Sequence, residues 1–222
     1  MSQSIVRKLV LKDLYLCRWL IGGALVTGAI ALAMMPLGQV AFYVGCVSFM
    51  GVIIVLNVMI VMVCVVGERK EKVAHFMLSL PVSTTQYIAA KIVANCAAFF
   101  IPFAALLAVS VLVIKVTSIP DGFIPLTLAV LGYVIFYFSM LLTAAILAES
   151  TGWATSVIVF GNISINFVIT GLLHDPLVSS TSSGPTVVWT TPVVVTLFLE
   201  IASSLIVLAL CWYFSTRKKN FI

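Results

Sequence analysis

Charged side chains are scarce in this sequence. Only 9% of its 222 residues are charged, whereas a soluble domain has about 25%, so too few polar groups are present to cover a water-soluble surface. Two histidines and seven carboxylates are also few for acid–base chemistry in a water-filled cleft. These shortages argue against a soluble enzyme, and we expect a membrane protein with no catalytic residues of its own.

Spaced cysteine motifs are missing as well. The five cysteines lie in or beside apolar runs, no CxxC occurs, and neither histidine is near a cysteine. Zinc, iron–sulfur and c-type haem sites therefore have no ligand set, and no metal site is predicted. The cysteines have the pattern of small buried hydrophobic residues.

Long uncharged runs occupy most of the chain. A spanning helix needs about 20 mostly apolar residues, and Trp19–Val66 contains no charge and has turn residues only at Pro36–Gln39. We therefore predict an all-α integral membrane protein, a single transmembrane domain over residues 1–222. Its six predicted transmembrane helices are residues 19–36, 40–66, 92–114, 123–148, 153–173 and 192–214. Residues 1–18 are predicted to form an amphipathic interfacial helix, although Asp13 interrupts its apolar face.

The basic residues predict the orientation of these helices. Six spans place both termini on one side, and eleven of the twelve Lys and Arg residues then share that side, with Lys115 alone on the other. By the positive-inside rule both termini are cytoplasmic, and residues 174–191 form the largest outer loop. The charge bias accounts for the net charge of +5, so no basic domain remains for nucleic acid.

The cytoplasmic loop at residues 67–91 has the pattern of two helices joined by a sharp corner. Pro81 ends the first helix, and Ser83 with Gln86 forms a capping box that starts the second. The first helix carries an apolar stripe at helical spacing, formed by Val73, Phe76, Met77 and Leu80. A loop that merely lies in solvent or on the membrane surface fits the same pattern.

The residues of this loop resemble a family. The run Glu68-Arg69-Lys70, then Phe76-Met77-Leu78-Ser79-Leu80-Pro81-Val82-Ser83, then Tyr87-Ile88-Ala89-Ala90-Lys91 resembles the first cytoplasmic loop of ATP-binding-cassette exporter permeases of the short six-helix, type V-like class. The likeness extends to chain length, helix count and orientation. Its specific motif covers only Glu68 to Lys91.

This resemblance implies a coupling helix that docks on a separate ATPase subunit. The implied coupling residues are Glu68, Arg69, Val73, Phe76, Met77, Leu80, Pro81 and Ser83. The chain has no G-x-x-x-x-G-K-[ST] motif to hold nucleotide phosphates, so ATP and Mg²⁺ would bind the partner subunit and no cofactor would bind this chain.

The resemblance further implies two permease chains, as a homodimer or heterodimer, with two ATPase chains in a bacterial plasma (inner) membrane. Two alternatives remain open: a membrane anchor or assembly subunit without its own transport path, and a secondary carrier.

A few polar residues lie inside the predicted spans. Glu200 is about eight residues into the last span, where a carboxylate is costly unless it is paired, hydrated or protonated. It is a candidate pathway residue or a structural partner of Lys115, which lies at the outer end of the third span. Asn162 and Asn166 are one turn apart in the fifth span, where they either hydrogen-bond another helix or line a path.

Overall fold

The computed structural model describes residues 2–68, 84–148 and 151–217, and these contain helices and no β-strand. The helices are α1 (Ser2–Met34), α2 (Gln39–Val61), α3 (Thr84–Val116), α4 (Phe123–Leu147), α5 (Thr151–His174), α6 (Pro176–Ser182) and α7 (Thr191–Arg217). One 3-10 turn (Met35–Leu37) precedes α2, and α2 continues as a π-helical segment (Met62–Gly67).

Six of these helices are long and apolar enough to cross a membrane: α1, α2 with its π-helical segment, α3, α4, α5 and α7. Their outward faces carry large exposed apolar side chains, among them Trp19, Phe160, Phe167 and Phe198. Such faces require a lipid or protein covering rather than water. The predicted all-α membrane fold with six spans is confirmed.

The first helix is continuous where the sequence predicted two elements. Residues 2–34 form the single helix α1, so the segment predicted as an interfacial helix runs directly into the first span. The physical reason is that no proline occurs before Pro36, which lies in the 3-10 turn, so nothing interrupts the backbone hydrogen bonds of α1.

The helices pack around α4. Helix α1 contacts α2 and α3 extensively, while α4 packs closely against α7 and α5. Phe99 of α3 stacks on Phe138 of α4, with ring centroids 4.3 Å apart and planes 9° from parallel. These rings, both 0% exposed, join the two groups of helices in one hydrophobic core.

The connection predicted as a loop at residues 174–191 contains the short helix α6. Asp175 caps it, because its carboxylate accepts hydrogen bonds from the backbone N–H of Leu177 at 2.9 Å and of Val178 at 3.4 Å. Pro176 occupies the first helical position, which tolerates a missing N–H. Together these two residues start a helix that is too short to show a period in the sequence.

Candidate functional site

Four charged side chains from three helices meet at the end of the bundle where α1 begins. Lys12 and Asp13 come from α1, Glu68 from the end of the π-helical segment, and Lys91 from α3. Lys91 Nζ lies 2.7 Å from Asp13 Oδ2 and 2.6 Å from Glu68 Oε2. Lys12 Nζ also contacts Glu68 Oε1 and lies 3.6 Å from Asp13 Oδ1. We call these four residues the ionic cluster.

Lys91 is the centre of the ionic cluster. Its ammonium group has three donors, and the third bonds the backbone carbonyl of Cys64 at 2.9 Å, within the π-helical segment. Tyr87, one turn before Lys91 on α3, donates its hydroxyl hydrogen to Glu68 Oε2 at 3.1 Å. Lys91 therefore joins α1, the end of α2 and α3 through one buried side chain.

The ionic cluster is largely withdrawn from solvent. The side chains of Asp13, Glu68 and Lys91 are 3%, 7% and 7% exposed, and only Lys12 reaches solvent, at 39%. Burial raises the pKa of Glu68, but the hydrogen bonds and positive charges of Lys12 and Lys91 outweigh it and lower the pKa below its ordinary value. Glu68 is therefore ionised at neutral pH.

Asp13 lies in the ionic cluster because it is on the buried face of α1, the stripe of residues that packs against other helices. Asp13 is 2% exposed, and the stripe continues along the helix with small residues at Cys17, Ala24 and Ala31. Small side chains let neighbouring helices approach closely, and Cys17 Sγ lies 2.9 Å from Cys64 Sγ. The interruption that Asp13 makes in the apolar face is the sequence signal for this site, but its buried partner Lys91 is 78 positions away.

Most of the predicted coupling residues fall outside the described residues. Of that set the structure describes only Glu68. The others are Arg69, Val73, Phe76, Met77, Leu80, Pro81 and Ser83. The described chain stops at Glu68 and resumes at Thr84, and the contacts of Glu68 with Tyr87 and Lys91 tie these two ends together.

Glu200 lies in the interface between α7 and α4. It is 7% exposed, and neither carboxyl oxygen has a hydrogen-bond partner among the described residues. The proposed pairing with Lys115 is not formed, because Lys115 is exposed at the end of α3 and no ion pair with Glu200 occurs in the described ranges.

Gly132 of α4 makes room for the Glu200 carboxyl. A Cβ atom at Gly132 would lie 2.7 Å from Glu200 Oε2 and 2.8 Å from Leu197 Cδ1. Two turns further along α4, Ser139 shares a hydrogen bond of 2.6 Å with Ser204 of α7. The α4–α7 interface therefore combines a close helix approach with polar groups inside the bundle.

The two asparagines of α5 have different surroundings. Asn162 is half-buried and donates to the Tyr137 hydroxyl at 3.3 Å and to the Ile158 carbonyl at 2.8 Å. Asn166 is exposed and donates to the Asn162 carbonyl at 2.9 Å. The first amide thus packs against α4, while the second presents polar atoms on the outer face of a spanning helix.

Metal chemistry has no site in the described ranges. Within residues 2–68, 84–148 and 151–217 no group of three His, Cys, Asp or Glu side chains is close enough to hold a metal ion. The candidate functional groups that remain among the described residues are the ionic cluster, the carboxyl of Glu200 and the amides of Asn162 and Asn166 in α5.

Comparison with known proteins identifies a family. A family model described as ABC-2 family transporter protein matches residues 29–212, which is well over half of the chain. No curated protein and no solved structure matched the chain.

Proposed function

Because the chain belongs to the ABC-2 transporter family of membrane proteins, we propose that it is the permease subunit of an ATP-driven exporter. It forms the transmembrane pathway and couples to a separate ATPase subunit through residues 67–91. The sequence supports a separate ATPase because no phosphate-binding loop occurs in the chain. ATP and Mg²⁺ then bind the partner subunit.

The ionic cluster supports the coupling role. Glu68 immediately precedes segment 69–83, which lies outside the described residues, and Tyr87 and Lys91 follow that segment by one and two helical turns. Tyr87 and Lys91 both contact the Glu68 carboxylate, and Lys91 also pairs with Asp13 of α1. A force applied to segment 69–83 therefore reaches three spanning helices through buried, charge-assisted contacts.

The continuity of α1 extends this connection across the membrane. Asp13 lies in the first half of α1, which continues without interruption to Met34, about 30 Å away at 1.5 Å per residue. A displacement at the ionic cluster is thus carried by one helix to the opposite end of the bundle. Separate interfacial and spanning helices would not transmit it in this way.

The proposed complex contains two permease chains and two ATPase chains. The exposed amide of Asn166 supports a second permease chain or a water-filled path along α5, because a polar group facing hydrocarbon is costly. Asn162 lies one turn away, between this face and α4. Both are candidate pathway residues, while Lys115 lies at the exposed end of α3.

The proposed orientation places both termini and segment 69–83 in the cytoplasm of a bacterial cell, with the chain in the inner membrane. The charge distribution of the sequence supports it. Single-cysteine variants test it directly: a membrane-impermeant maleimide should label Ser79→Cys only from the cytoplasmic side. Ser180→Cys, on an exposed site of α6, should be labelled only from outside. The reverse pattern would refute the orientation.

The function is tested by purifying the tagged chain after expression with its neighbouring reading frames. We expect a soluble protein with a phosphate-binding loop to copurify, and the complex to hydrolyse ATP after reconstitution in lipid. A chain that purifies without any ATPase under the same conditions would contradict the exporter function and favour an anchor or assembly subunit.

A further inference from the structure

The carboxyl group of Glu200 is buried without a partner. The residue is 7% exposed, and both carboxyl oxygens lack a hydrogen-bond partner among the described residues. Glu200 lies nine residues into α7, about 13 Å along the helix from its start. The described helices therefore enclose it within the membrane-spanning part of the fold.

The surroundings of Glu200 supply space but no positive charge. Gly132 lies against its Oε2, where any side chain would collide, and Leu197 of α7 also lies against Gly132. An ionised carboxylate in such a place loses its hydration and gains no compensating ion pair, whereas a protonated carboxyl is neutral. The geometry therefore favours the protonated acid.

The titratable groups of the neighbouring helices do not supply a counter-charge. On α4, Tyr133 follows Gly132 directly in the chain, and its hydroxyl is hydrogen-bonded to Ser164 of α5. Tyr137, also on α4, bonds the Ile158 carbonyl.

The remaining titratable groups lie further away on α3 and α7. On α3, which also packs on α7, Lys91 is engaged in the ionic cluster and Lys115 is exposed. The remaining titratable groups on these two helices are Tyr87 and Cys96 of α3 and Cys211, Tyr213 and Arg217 of α7. Arg217, the cation of this set, is 17 residues beyond Glu200, about 25 Å along α7.

We propose that Glu200 is a proton-binding site of the α4–α7 interface. Its carboxyl holds a proton while the two helices are in contact around Gly132. When α7 moves away from α4 and water reaches the group, the O–H bond breaks, the proton passes to water and the carboxylate remains. Proton binding and closure of the interface favour each other, because the two equilibria are linked.

This site goes beyond the proposed coupling function and does not depend on an ATPase. It gives the permease a ligand of its own, the proton, at an interface between two spanning helices. The consequence is that raising the pH favours separation of α7 from α4, and lowering the pH favours the closed arrangement.

Infrared spectroscopy of the purified full-length chain in lipid nanodiscs tests the proposal. At neutral pH the wild-type protein should show a protonated carboxyl C=O band that is absent from Glu200→Gln, whose amide is close in shape to the acid. The control Asp121→Asn, an acid-to-amide change in the turn after α3, should leave the band unchanged. Equal spectra for wild type and Glu200→Gln would overturn the proposal.

A pH titration of the same infrared band in the wild type tests the proposal even if Glu200→Gln does not fold. In the wild type the band should persist at neutral pH and disappear as the pH is raised. Gly132→Ala should lower the pH at half intensity by at least about one unit, a tenfold loss of proton affinity, because the added methyl displaces the carboxyl. The control Gly171→Ala has open space and should titrate like the wild type. A wild-type band that is already absent at neutral pH, or an unshifted Gly132→Ala titration, would refute the site.

Discussion

Replacing Lys91 by methionine removes the central cation of the ionic cluster while keeping a side chain of similar length. Two buried ion pairs, at 2.7 Å to Asp13 and 2.6 Å to Glu68, are lost together with the hydrogen bond to the Cys64 carbonyl. Asp13 then keeps only Lys12, 3.6 Å away. We expect the variant to be substantially less stable than the wild type.

The structure sets the size of this loss. Removing one partner of a buried pair costs about 3–5 kcal/mol, and Lys12 still neutralises part of the remaining negative charge. The lower end, about 3 kcal/mol, is therefore expected, which is roughly a hundredfold change in the unfolding equilibrium constant. Unfolding by sodium dodecyl sulfate in mixed micelles, followed by circular dichroism, measures it.

Two further variants make this measurement decisive. Lys115→Met removes an exposed lysine from the same helix and should change the free energy of unfolding by less than about 0.5 kcal/mol. Adding Asp13→Leu to Lys91→Met should recover more than half of the loss, because it removes the unpaired buried carboxylate and leaves Glu68 with Lys12. If Lys91→Met is no less stable than Lys115→Met, the buried cluster does not hold the three helices together.

Two other variants test helix packing and the charge of the cluster. Gly161→Ala should destabilise the fold by about 1–3 kcal/mol, because its Cβ would lie 2.3 Å from the Tyr137 ring. The control Gly171→Ala, on the same helix, meets nothing within 4 Å and should be neutral in the same unfolding assay. Equal effects of the two substitutions would contradict the packing of α5 on α4. The pKa of Glu68 in the folded protein lies below its ordinary value of 4.5, so the stabilisation by its carboxylate is present above pH 4.5 and is lost as the pH falls through the folded pKa. Acid titration should therefore bring the free energy of unfolding of the wild type toward that of Glu68→Gln. A difference between the two proteins that stays constant with pH would contradict the ion pairs.

The sequence predicted the membrane fold because the signal is local. Uncharged runs long enough to span a bilayer reveal each helix without knowledge of its neighbours, and the loop motif between Glu68 and Lys91 pointed to the family that the comparison confirms. The continuous α1 was missed because the sequence changes from amphipathic to apolar near Trp19, while the backbone has no break there.

The partners of polar residues were harder to predict, because they depend on packing between distant parts of the chain. Asp13 interrupted an apolar face in the sequence, yet in the fold it lies against Lys91, 78 positions away. The sequence makes Lys115 a candidate partner of Glu200, but the α4–α7 interface instead places Glu200 against Gly132. Glycine carries no side-chain chemistry, so a sequence pattern gives no sign of such a contact.

The proposed coupling role of residues 67–91 predicts that its apolar stripe contacts the ATPase. Met77→Asp should leave the membrane fold intact, because residue 77 lies outside every transmembrane helix predicted from the sequence, but it should place a charge in the proposed docking surface. Leu177→Asp is the matched control, since Leu177 is 59% exposed on α6 at the opposite end of the bundle.

The most direct measurement is the amount of ATPase that copurifies with each tagged permease from lipid nanodiscs, together with the ATP hydrolysis of the complex. The wild type and Leu177→Asp should retain equal amounts of ATPase, and Met77→Asp should lose at least about tenfold, the equivalent of 1.4 kcal/mol of binding free energy. A full complement of ATPase and unchanged hydrolysis with Met77→Asp would contradict the coupling function.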